Sequence, residues 1–114
     1  LGLYTQDGTT QTPTYTVSLT LPTQNTDGTA RALNTLASYT VAYKLNGAAT
    51  YTTKVVNGPF TALAQSTTIP KAFGQTCVNA FVTTTTGEVS AATSPDACVT
   101  FTAPPNPPSG VTVN

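Results

Sequence analysis

Between Tyr15 and Leu21 the chain reads YTVSLTL, a strict alternation that places Tyr15, Val17, Leu19 and Leu21 on one parity and Thr16, Ser18 and Thr20 on the other. Successive side chains of a strand point to opposite faces, so this period of two predicts a half-buried β-strand and does not fit the 3.6-residue stripe of an amphipathic helix. The pattern recurs. In ASYTVAYKL, Tyr39, Val41, Tyr43 and Leu45 share a parity; in TCVNAFVTT, Val78, Ala80 and Val82 oppose Cys77, Asn79 and Phe81; in ACVTF, Ala97, Val99 and Phe101 share a face. Turn chemistry separates these runs: Pro22 with Asn25, Asp27 and Gly28, Asn46-Gly47 leading into TYTTKVV, Asn57-Gly58-Pro59, Pro70 closing the short edge element TALAQSTTI, and Gly87-Glu88. Short strands punctuated in this way predict an all-β fold, a two-sheet antiparallel sandwich. Its expected core is Tyr15, Val17, Leu19, Tyr39, Val41, Tyr43, Val78, Ala80, Val82 and Phe101.

A chain of 114 residues has room for one such core. Charged residues make up only 7% of it, against roughly 25% in an average soluble domain. Arg31, Lys44, Lys54 and Lys71 stand singly, and four acidic residues cancel them. A nucleic-acid binder needs clustered cations to displace counterions, so DNA, RNA and anionic membranes are not expected as partners. No apolar run approaches the roughly 20 residues of a spanning helix, and no membrane insertion is expected. Threonine, the commonest residue, keeps the surface polar without charge while its branched β-carbon suits a pleated strand.

The order LTLPTQNTDG, then LASYTVAYKL, then VNAFVTTTTGEVSAATS resembles bacterial fibronectin type III domains of the immunoglobulin-like sandwich class. The first stretch resembles that family's B strand and B–C loop, the second its C strand, and the third its F strand, F–G turn and start of G. The similarity runs from about Tyr15 to Phe101. Two departures stand out. Leu19 occupies a position where the family usually has Trp, which leaves Tyr39, Tyr43 and Phe101 to make up the volume. The family's tyrosine near the start of the F strand is replaced by Thr76 or Cys77.

Cys77 and Cys98 each lie 10.5 positions from the centre of Gly87-Glu88. In an antiparallel hairpin those positions face one another, on the parity opposite to the apolar residues, so a disulfide on the outer face is expected. Closing a loop of this length stabilises by about 3 kcal/mol in the chain-entropy picture. With no His and no C-x-x-C, the pair does not read as a metal or redox site. Two bridged cysteines in a small chain point to an oxidising compartment, and together with the resemblance to bacterial domains this implies an extracellular or cell-surface location in a bacterium. Leu1 in place of an initiator Met fits a removed export signal, or a piece cut from a longer polypeptide.

Catalysis finds no constellation to rest on. Asp7, Asp27, Glu88 and Asp96 are scattered, Asp27 reads as capping its own turn, and no catalytic residue, metal or cofactor is expected. Calcium held by Asn25, Asp27 and Asp96 would need more negative charge than these supply. Tyr4 and Tyr51 have no assigned place and keep a sugar-stacking role open.

The last segment, APPNPPSGVTVN, resembles the linker and first strand of a further domain of the same family, whereas LGLYTQDGTTQTP lacks the Pro-rich opening of one. Residues 1–103 are therefore read as the domain and residues 104–114 as a Pro-rich linker with a terminal strand, Val111, Thr112 and Val113. Three readings of that strand stand side by side: donation to a neighbouring copy, the stub of a next repeat, and a loose end. The function expected is a non-catalytic structural subunit of a surface assembly, which a head-to-tail exchange would make a filament. Its partners would be further copies or neighbouring domains. The alternative is a carbohydrate- or receptor-binding accessory module of a secreted enzyme or phage tail protein.

Overall fold

The computed structural model describes residues 3–4, 10–11, 14–45, 47–102, 105, 107–110 and 112–113, with the backbone alone described before Thr14. Eight strands follow in chain order: β1 Leu3–Tyr4, β2 Thr10–Gln11, β3 Thr14–Thr20, β4 Leu36–Leu45, β5 Thr52–Asn57, β6 Ala64–Pro70, β7 Gly74–Thr84 and β8 Ala97–Phe101, with one 3-10 turn at Leu33–Thr35. Every pairing is antiparallel. The protein is an all-β sandwich in which the β3–β6 pair packs on a four-stranded sheet of order β5–β4–β7–β8, while β1 and β2 form a small separate hairpin.

The alternation read from YTVSLTL is the burial pattern of β3. Tyr15, Val17 and Leu19 are half-buried, Thr16, Ser18 and Thr20 exposed, and Leu21 fully buried just past the strand end. Across the interior stand Tyr39 and Val41 of β4, both fully buried, and Ile69 of β6 completes the layer opposite them. The Tyr39 hydroxyl reaches across to the Ser66 carbonyl at 3.4 Å.

Two core residues outside the expected set owe their place to pairing. The register of β4 against β7 shifts between Leu36 and Ser38, leaving Ala37 as an extra residue that turns Leu36 onto the core side. Ile69 is a lone aliphatic in a threonine-rich stretch and is buried because it stands opposite Tyr15.

Phe101 departs from the expected core. It is half-buried outside the central cluster, stacked on Phe73 at 5.0 Å between ring centroids, with Lys71 Nζ 5.1 Å from its ring. β8 is an edge strand paired only with the Gly74–Val78 end of β7, and the two-stranded sheet does not cover it; Val99 is accordingly exposed. The turn before β8 also differs from a symmetric hairpin. The numbers of paired residues total 172 at Thr83–Val89 and 175 at Cys77–Cys98, so the later arm holds three extra residues and the turn closes earlier, with Gly87 at φ +96°. Asn46, the first residue of the other expected turn, lies outside the described residues; Gly47 beside it has φ +87°.

Candidate functional site

The disulfide forms between Cys77 and Cys98, directly paired residues of β7 and β8 whose Cα atoms are 4.1 Å apart. It lies on the outer face, away from the core cluster. Beside it, Tyr51 and the Asn79 side-chain amide both donate to Asp96, and Lys44 Nζ stands 4.6 Å over the Tyr51 ring. The Tyr51 bond holds the Asp96 carboxyl below its ordinary value, and Asp96 in turn pushes the Tyr51 phenol up. One face of the only tyrosine exposed among the described residues is thus taken by an ammonium group, which narrows any sugar-stacking platform. Tyr4, the other candidate, has its side chain outside the described residues.

Asp7 lies outside the described residues, and the other two carboxylates, Asp27 and Glu88, close turns. Asp27 accepts from the Thr29 amide at 3.0 Å and hydroxyl at 2.6 Å, and these bonds lower its pKa. Glu88 accepts from the Thr86 and Thr84 hydroxyls, which lower its own. A general acid needs a carboxyl raised toward neutrality, the opposite shift. Asn25 is also engaged, accepting from Arg31 Nε at 2.6 Å and donating to Thr29 at 2.9 Å. Asn25 and Asp27 therefore belong to one hydrogen-bonded turn and Asp96 to another, and the three do not form a shared ligand set.

A different feature appears where the two sheets meet. On the β5–β6 side the seam is bridged. The crossing segment 58–63 lays Phe60 against Tyr39 at 5.8 Å, its Gly58 amide donates to the Ala37 carbonyl at 2.8 Å, and Lys54 of β5 donates to the Thr68 carbonyl of β6 at 2.7 Å, leaving a cleft of about 280 Å³ at the end where Tyr43, Thr52 and Pro70 meet. On the β3 side it is open. Tyr15, Val17 and Leu19 of β3 and Val78, Ala80 and Val82 of β7 are all only half-buried, although they carry core parity. At the Leu19 end of this seam lies a cleft of about 240 Å³, lined by Leu19, Pro22, Tyr39, Ala80, Val82 and Ala91. A second, of about 380 Å³, shares Pro22, Val82 and Ser90 with it and continues past Leu36 and Val89. Among the described residues β3 pairs with β6 alone, so its other edge presents unpaired backbone groups beside this cleft. Nearer the start of β3, the Tyr15 hydroxyl is buried and has no hydrogen-bond partner among the described residues.

The tail stands apart from the sandwich. Pro105, Pro107, Pro108, Ser109, Gly110 and Thr112 are exposed without regular structure, and Val113 is 95% exposed. Val111 lies outside the described residues. The radius of gyration is 19.4 Å and the extents are 76 × 28 × 18 Å, whereas a compact domain of this length has a radius near 13 Å, roughly. Sequence parity identifies the apolar residues on both sides of the cleft. It carries no signal that, among the described residues, β3 has no second pairing partner to cover them, because that depends on which element crosses which seam. No protein-family model matches the chain, and no curated protein or solved structure matches it either.

Proposed function

We propose that the protein is a non-catalytic structural subunit of a bacterial extracellular or surface assembly, a fibronectin type III-like sandwich that joins copies head to tail through its Pro-rich tail. The observation that carries this reading is the pairing of two features among the described residues: a β3 strand paired on one edge only, and a terminal segment whose described residues are exposed and lie in no strand. On the family resemblance, β3, β4, β7 and β8 would correspond to the B, C, F and G strands. The strand that opens such a domain lies beside B. Among the described residues nothing occupies that place, while the tail reads like a strand of that kind. An outer-face disulfide and a threonine-rich, charge-poor surface suit an oxidising exterior.

Deleting residues 104–114 tests the reading. Size-exclusion chromatography with light scattering, together with micrographs, is expected to show polymers for the full chain and stable monomers or unfolded protein for the deletion. Polymerisation that continues unchanged without the tail overturns it.

A further inference from the structure

The sandwich offers four strand edges, and its geometry distinguishes among them. The β5 and β6 edges border the seam that segment 58–63 and Lys54 already bridge. The β8 edge carries exposed Ala97, Cys98, Val99 and Thr100, none of which lines the two clefts at the other seam. Among the described residues, the β3 edge combines backbone without a second pairing partner with a row of half-buried core side chains.

Chain direction then decides whose tail can lie there. Lys71 Nζ sits 4.9 Å from the Tyr15 ring and 5.1 Å from the Phe101 ring, so the tail leaves the sandwich at the end where β3 begins. To lie on its own β3 the tail would have to reverse at once, through Pro104, Pro105, Pro107 and Pro108, whose stiff extended backbone resists a sharp reversal. It would then run parallel to β3. A tail arriving from a copy stacked beyond the Leu21 end meets neither obstacle and runs antiparallel. The same step repeats with every subunit in one orientation, a heterologous contact that does not close on itself.

The sequence of the tail fits the edge. Proline has no N–H to give a ladder, so pairing begins after Pro108. Val111 and Val113 then project to one face about 6.8 Å apart, the pleat spacing of alternate residues on β3. Ala80, small and half-buried, leaves room opposite them.

We infer that residues 109–113 of a second copy pair antiparallel with the open edge of β3, with Val111 and Val113 filling the cleft lined by Leu19, Ala80 and Val82, and Thr112 facing solvent beside Ser18. This rests on the self-assembly reading and adds to it the receiving surface, direction and register.

Cysteine trapping tests the placement. Thr112→Cys is combined in the full chain with Thr16→Cys or Ser18→Cys on β3, and in parallel with Thr53→Cys on β5, Thr68→Cys on β6 or Thr100→Cys on β8. Assembled protein is oxidised mildly and run on denaturing gels without reductant. The β3 pairs are expected to give a ladder of cross-linked multimers that collapses to one band on reduction, and the other pairs a single band. A ladder from β5, β6 or β8 in place of β3, a cross-linked monomer, or assemblies that yield no ladder at any position each overturns the placement. The self-assembly reading fails separately, if the chain lacking residues 104–114 still polymerises.

Discussion

Val113 shows what a single side chain can report. Isolated exposed aliphatics are ordinary on protein surfaces, so its 95% exposure gains meaning only from its position, two residues after Val111 at the end of a stiff spacer. Because Val113 makes no contribution to the subunit's own core, Val113→Asp is expected to leave the melting curve of the monomer unchanged within about 0.5 kcal/mol. The same substitution is expected to abolish assembly, since a carboxylate would be carried into an apolar cleft. Light scattering beside thermal denaturation checks both halves; assembly that survives would remove Val113 from the contact. At this scale much was legible in the sequence. Parity alone selected Tyr39 and Val41, which are completely buried, and placed Cys77 and Cys98 on the outer face. Leu36, Ile69 and Phe60 were not legible, because a bulge, a cross-strand partner and a crossing loop bring them inward. Phe101 was misplaced for the converse reason: its alternation was right, but no second layer lies over its strand.

Among the elements, β8 is the least secured by packing and the most dependent on covalent help. It is short, it lies at the sheet edge, and four of its five residues are exposed. The disulfide ties it to the centre of the sheet through β7 and closes a loop with a sequence separation of 21. Replacing both cysteines by serine is expected to cost about 3 kcal/mol, with the loss appearing mainly as a freer unfolded chain. Amide exchange should show β8 losing protection first, while Tyr39 and Val41 in β4 keep theirs. Uniform loss across both strands would contradict that order. The strands β3, β4, β7 and β8 could be read from alternation, and so could the hairpin that pairs Cys77 with Cys98. The length of its later arm could not, since three extra residues displace the turn without disturbing the pairing of the cysteines. The seam is harder still to read, because the half-burial of Tyr15, Val17 and Leu19 goes with an edge of β3 that pairs with no strand among the described residues.

For the whole molecule, the proposed contact joins the edge of β3 that is unpaired among the described residues to the terminal segment of another copy. A charge-poor chain has little electrostatic means of association, so the contact falls to backbone pairing and aliphatic burial, the two resources that β3 and the tail present. The sequence pointed to the ends as exchanged, yet the surface that would receive the tail emerges only when the crossing of segment 58–63 is seen to cover one seam and leave the other bare. Electron cryomicroscopy of the assembled full chain, carried to a density in which strands can be traced, tests this most directly. The account predicts a third strand in the β3–β6 sheet, running antiparallel to β3 and continuous with the Pro-rich segment of the preceding subunit. A sheet that remains two-stranded in the assembly, or a tail lying against β8, would contradict it.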